Sequence, residues 1–136
     1  MPAPKHAWTA KSKREDKPWG SAVIWYSTGG FHGKVITIHE GQRTSLKYHR
    51  MKDEFFYVLS GKVLVTFGLS KTLENSEKYP WSERVLSAGD VFNVQSECPY
   101  RLQALEESIM IEVGDRCDDV PVRLEDDYGR ADARQS

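Results

Sequence analysis

The apolar residues of this chain fall in short runs rich in Val, Ile, Phe and Tyr, each closed by Gly, Asn, Ser or Pro, and this spacing constrains the fold more than any other feature. It predicts strands over 21–26, 34–39, 44–49, 54–60, 62–68, 84–87, 90–95, 100–105 and 107–113. No helical period competes with the alternation. The longest gap, Leu69 to Ser82, is polar and broken by Asn75, Ser76 and Pro80. It has room for a helical turn or two and is expected to be the mobile segment. So many strands cannot lie in one flat sheet of so short a chain, and open edges would invite pairing with other chains. The pattern therefore points to an all-β single domain, closed as a barrel or a two-sheet jelly roll.

A length of 136 residues suits one such domain and excludes a second. Nineteen Lys and Arg residues against twenty Asp and Glu leave a net charge of −1, which excludes a global positive field for nucleic acid or an anionic membrane. An anionic ligand has to be met by a few placed residues. No apolar run approaches the ~18 residues of a membrane span. The start, Met1 to Lys17, is basic and polar, so a cytoplasmic protein is expected. Residues 1–16 read as a flexible arm, 17–130 as the domain and 131–136 as a frayed tail. Cys98 and Cys117 form no CxxC pair and are read as reduced thiols without assigned chemistry.

Strand alternation places Lys47 and His49 on one face, Leu46 and Tyr48 on the other. A turn at Arg50 to Asp53 returns the chain into Glu54-Phe55-Phe56-Tyr57. If the hairpin closes with Lys47 and His49 inward, Glu54 comes back beside them. An ammonium, an imidazole and a carboxylate then converge inside an apolar wall, where perturbed proton affinities and chemistry gather. Taken singly each has a plainer reading, as a structural histidine, a solvated turn carboxylate and the polar face of a strand. His6, His32 and His39 lack such company and are read as structural or exposed.

The frame Gly41, Lys47, His49, Glu54, Gly61 resembles the first motif of the cupins, with Lys47 at the place of that motif's first histidine. Gly89 to Ala104 resembles the second motif, with Tyr100 where its histidine stands. Within the cupins the likeness is to the isomerase domain of type II mannose-6-phosphate isomerases, which is found fused to mannose-1-phosphate guanylyltransferase. Lys17-Pro18-Trp19-Gly20 looks like that family's opening R-P-W-G. Ile111-Glu112-Val113, with Arg123 to Arg130 after it, looks like its I-E-V-Q and closing R-x-x-D-x-Y-G-R. The nucleotidyltransferase domain with its glycine-rich loop is not read in these 136 residues, so guanylyl transfer is not expected.

The resemblance implies a double-stranded β-helix and a divalent metal ion, Zn, Mn, Fe or Ni, for which His49 and Glu54 are the remaining conventional ligands. Lys47 is a cation and Tyr100 a phenol with a reference pKa near ~10. The implied activity is aldose–ketose isomerisation of a sugar phosphate. Glu54 is the candidate base, Lys47 or a metal the positive group, and Arg123 and Arg130 the phosphate holders, with Tyr100 also at the substrate. Surface pairing with Asp126 or Asp127 is the plainer reading of the arginines. The alternative is a non-catalytic sugar or sugar-nucleotide binder in which Lys47 pairs with Glu54, and Lys47, Phe56, Tyr57 and Tyr100 fill the pocket. A metal-dependent oxygenase is a third. The implied partners are a small sugar or sugar phosphate and a second copy of the chain, with Trp8, Trp19 and Trp81 suited to the dimer contact.

Overall fold

The computed structural model describes residues 3–28, 30–116 and 118–131, so Cys117 and the expected tail from Asp132 onward lie outside the described residues. The described residues form eleven strands and no helix: β1 (Lys13–Lys17), β2 (Gly20–Thr28), β3 (Phe31–Ile38), β4 (Leu46–Tyr48), β5 (Glu54–Ser60), β6 (Lys62–Phe67), β7 (Ser82–Ser87), β8 (Val91–Val94), β9 (Tyr100–Ala104), β10 (Ser108–Asp115) and β11 (Val122–Glu125). They pair antiparallel in a six-stranded sheet, β1-β2-β3-β10-β5-β8, and a five-stranded sheet, β11-β4-β9-β6-β7. Each of the nine predicted runs overlaps a strand. The two others correct the sequence reading. β1 takes the last residues of the segment expected as a flexible arm together with Lys17, pairing Lys13 to Lys17 with Ile24 to Gly20 at the edge of the sheet. β11 lies beyond the last predicted strand, where none was expected, and pairs with β4. No helix among the described residues is long and apolar enough to cross a membrane.

Alternation along each strand divides the interior into two ends. Ile36 pairs with Met110 and Met110 with Val58, all three buried. Val63, Val65, Leu102 and Ala104 close this core from the five-stranded sheet. Full burial of such side chains contributes about 1.5–3 kcal/mol each. Two residues along on the same inward face, the apolar run stops: Lys34, Glu112, Glu54 and Tyr100 follow Ile36, Met110, Phe56 and Leu102. The polar end of the barrel is thus a direct extension of the core pattern, with ionisable residues at the last inward positions.

Motif glycines shape the turns at the core end. Gly61, at φ +93°, joins β5 to β6, and an added Cβ there would collide with Ser108 Oγ.

The gap after β6 is a run of hydrogen-bonded turns. Thr72 is buried and its Oγ1 accepts from Leu69 N–H at 2.8 Å, while Tyr79 N–H donates to Asn75 O at 2.9 Å. Thr72→Val keeps the shape and orphans Leu69 N–H, so it should lower the unfolding free energy in urea by about 1 kcal/mol.

Candidate functional site

The polar end encloses a cavity of about 130 Å³ between the sheets. Its lining includes six cationic side chains, Lys17, Lys34, Lys47, Lys52, Arg123 and Arg130, against two carboxylates, Glu54 and Glu112, together with His49 and Trp19. The sequence-predicted residues meet here. Lys47 and His49 face inward from β4 and the end of it, while Leu46 lies in a groove on the outer face. Across the sheet, Lys47 pairs with Tyr100 on one side and Arg123 on the other.

Glu54 is buried at the centre and is faced by three donors. Tyr100 hydroxyl donates to its Oε1 at 2.5 Å, and His49 Nε2 lies 3.2 Å from the same oxygen. Lys52 Nζ stands 3.6 Å from Oε2. Burial works to raise the proton affinity of this carboxyl, but the His49 hydrogen bond and the charges of His49, Lys52 and Lys47 more than reverse it, holding the group well below the ordinary carboxylate range. Burial and the neighbouring Glu54 carboxylate push the Tyr100 phenol well above its usual value, so it is a donor. For Lys47, burial outweighs the attraction of Glu54 and Glu112, and Arg123 and Arg130 add repulsion, bringing its ammonium down to about 8.

Four of the six cations have ion-pair partners. Lys17 meets Glu15 at 3.2 Å, Lys34 meets Glu112 at 3.9 Å, Lys52 meets Glu54, and Arg130 meets Asp126 at 2.9 Å. Arg130 therefore follows the plainer reading in part, pinned by Asp126 while still lining the cavity. Asp127 is taken by Arg43, and Tyr128 hydroxyl donates to Gln42 Oε1 at 2.6 Å, which fastens the closing segment to the barrel. Lys47 and Arg123 are left over. Among the described residues neither has a carboxylate within 4.0 Å, and Arg123 Nε is buried without an acceptor.

Several expectations change. Lys52, not Lys47, is the ammonium beside Glu54. It arrives from the turn between β4 and β5, whose backbone is held by Asp119: Met51 and Lys52 N–H groups donate to Asp119 Oδ2 at 2.9 and 3.0 Å. Phe56 and Tyr57 cannot both fill the pocket, because neighbours in a strand point to opposite faces. Phe56 packs in the core against Phe92 and Tyr100, and Tyr57 is exposed outside. Trp19 is buried at the cavity, whereas Trp8 is exposed.

His32, read as structural or exposed, is buried, with Nε2 facing Glu112 Oε2 at 2.8 Å. His32, Glu54 and Glu112 each offer a ligand atom within 4.8 Å of the others and form a group that could hold a metal ion. The period-two signal gives the face of His32 and Glu112 on their strands, though not their meeting. His32 and Lys34 precede Ile36 and Ile38 on one face, and Glu112 follows Met110.

The donor chemistry decides how well a metal fits. At the motif positions, Lys47 is a cation, and Tyr100 is a hydroxyl whose proton is committed to Glu54. Those positions do not fit a divalent ion. The His32–Glu54–Glu112 group has suitable donors, but both carboxylates already face protein partners, Glu54 with Tyr100, His49 and Lys52, and Glu112 with His32 and Lys34.

Two antiparallel sheets closed over a core, with ionisable side chains gathered round a cavity at one end, define a small jelly-roll barrel with an internal polar cavity. Residues 34–113 match the cupin domain model, and the chain belongs to the cupin family. Solved structures of similar fold include KdgF from Halomonas, 22% identical with a TM-score of 0.62, covering 76% of this chain and 87% of that one. An RmlC-like cupin from Shewanella frigidimarina is 17% identical with a TM-score of 0.65, covering 84% and 92%. The oxalate decarboxylase of Lactobacillus farciminis is 18% identical with a TM-score of 0.66, covering 83% of this chain and 33% of that one. No curated protein sequence matches the chain.

Proposed function

We propose that the cavity binds a small sugar phosphate and that the reaction served is aldose–ketose isomerisation, as in the mannose-6-phosphate isomerases the sequence resembles. The observation that carries the reading is the pair of unmatched cations, Lys47 and Arg123, side by side across β4 and β11. A buried guanidinium Nε without an acceptor calls for an anion, and phosphate oxygens accept from an arginine fork. Arg130, held in place by Asp126, and Lys34 at the cavity wall extend the same positive surface.

Isomerisation moves a proton between adjacent carbons and needs a base whose proton affinity suits neutral pH, with positive charge near the enediolate oxygens. Glu54, faced by three donors that hold its proton affinity low, is a poor base and serves better as the fixed negative anchor of the site. Lys47, with its ammonium at about 8, suits proton transfer, and Arg123 suits charge stabilisation. The low proton affinity of Glu54 also favours a second reading, a barrel that binds the sugar phosphate without chemistry. An oxygenase would need the motif metal position that Lys47 and Tyr100 do not supply.

Calorimetry and a coupled assay separate these. Mannose 6-phosphate or fructose 6-phosphate should bind saturably, with Arg123→Gln weakening it about tenfold. Interconversion of the two assigns catalysis, and binding alone assigns the second reading. Failure to bind either, or equal binding of unphosphorylated mannose, would end the sugar-phosphate proposal. We also propose a homodimer formed through the outer face of the six-stranded sheet, where Trp25, Phe55 and Tyr57 are exposed. Sedimentation of the purified protein tests it, and a monomer at micromolar concentration rejects it.

A further inference from the structure

We infer that the Lys52 ammonium takes the place of a divalent cation on Glu54, so that this cupin carries the cation of its central site as part of its own chain, a role independent of the sugar-phosphate reading.

Each Glu54 oxygen has its partner: Oε1 takes Tyr100 and His49, and Oε2 faces Lys52. Lys52 is buried to the same degree as His49, with 7% and 6% of their side chains exposed, so this is an internal ammonium and not a surface lysine that happens to reach inward. Its position is built from two directions. The Lys52 backbone N–H is tied to Asp119, and the stem lies in a hollow that exists because residue 114 has no side chain. A Cβ at Gly114 would stand 3.1 Å from Lys52 Cε and 2.6 Å from His32 Cε1. Gly114 pairs directly with Glu54 across β5 and β10 and with His32 across β3 and β10, so one missing side chain makes room for both groups beside the carboxylate.

A divalent ion at Glu54 would have to expel that ammonium, strip the Tyr100 proton from its acceptor or give up Oε1, and then sit in a cavity already lined by further cations. Among its other candidate donors, His32 Nε2 is engaged with Glu112. Both oxygens of Glu54 and His32 Nε2 are thus occupied by protein partners, and the ring nitrogens that have none, His32 Nδ1 and His49 Nδ1, are buried. Lys52 also supplies what an ion supplies to a central carboxylate, a positive charge at fixed distance that keeps it ionised.

Metal titration of the chelator-treated full chain tests the inference. Wild type should take up well under one equivalent of Zn(II), Mn(II) or Ni(II), and its unfolding midpoint should not move with metal. Lys52→Met removes the internal cation while keeping a stem of similar length for the Gly114 hollow, and its Zn(II) affinity should rise about 10–100-fold, the range by which outer partners tune a metal site. A folded Lys52→Met protein that still takes no metal would overturn the inference, as would one equivalent of metal in wild type that is lost in His32→Ala or His49→Ala. Should Lys52→Met not fold, wild type still decides: acetylation of Lys52, followed by peptide mass spectrometry, should be slow and unchanged by Zn(II). A rise in Lys52 labelling on adding Zn(II) would mean that the ion displaces the ammonium, and the inference would fall.

Discussion

Glu54→Gln is expected to destabilise the protein by about 3 kcal/mol at pH 7, at the lower edge of the ~3–5 kcal/mol lost when one partner of a buried ion pair is removed. The substitution is nearly isosteric, so the loss comes from charge. It leaves Lys52 buried without a counter-ion and gives Tyr100 and His49 a weaker acceptor. The lower edge is appropriate because the cavity lets Lys52 recover some hydration. The pH dependence gives a second signature. The folded carboxyl is held below its unfolded value of 4.5, so its contribution is complete above that value and is lost as pH falls toward the folded one. Urea unfolding should therefore show a full gap between wild type and variant at pH 6 to 8, shrinking steadily below about pH 4.5. A gap that stays constant to low pH would assign the loss to packing. Combining Glu54→Gln with Lys52→Met should recover part of the stability, and the coupling in that double-mutant cycle reports the pair itself.

The same residues mark the boundary of what could be read from the sequence. Nine strands were legible because their apolar residues keep a period of two. β1, with the sequence Lys-Arg-Glu-Asp-Lys, has no such pattern: it is an edge strand whose charges suit an exposed rim. β11 is only four residues long and takes its pairing from β4. In the site, the spacing of Lys47, His49 and Glu54 was enough to bring them together once the barrel closed. Lys52 was not legible, because it belongs to a turn, where no period assigns a face. Its direction is fixed by Asp119 and Gly114, residues far along the chain whose effect exists only in three dimensions. Acidic residues at and beyond the end of β10 brace the turns: Asp115 accepts from Asp53 N–H, Asp119 accepts from Met51 and Lys52 N–H, and Asp53 in turn accepts from Ser96 N–H. For His32 and Glu112 the obstacle is different. Each shares a face with core residues of its own strand, but they belong to strands far apart in sequence, and only the pairing of β3 with β10 makes them neighbours.

Lys47→Met should stabilise the protein while weakening its hold on an anion. The Lys47 ammonium faces Glu54 from β5, Glu112 from β10 and the Tyr100 ring from β9 at 5.0 Å, against Arg123 from β11 and Arg130 beyond it. Burial dominates this balance and brings the group from 10.5 to about 8. At about 1.4 kcal/mol per tenfold change in proton affinity, that displacement corresponds to roughly 3 kcal/mol, and the partial exposure of Lys47 reduces it to about 2. The sign follows from linkage. Between about 8 and 10.5 the unfolded chain binds the proton and the folded one does not, so stability rises with pH across that window. Below it the charged group costs its full amount, and the methionine variant escapes the cost at pH 7. Its advantage over wild type should then vanish as pH climbs past about 10. Anion binding should move the opposite way: losing a charge-assisted contact weakens mannose 6-phosphate by about 10–100-fold at pH 7. Wild-type affinity should itself fall as pH rises through about 8, a decline the variant lacks. A lysine kept against its own solvation in a cavity without a partner is explained by a ligand that supplies one. If Lys47→Met left both stability and anion affinity unchanged, Lys47 would be an ordinary strand residue, and Arg123 alone would have to carry the site.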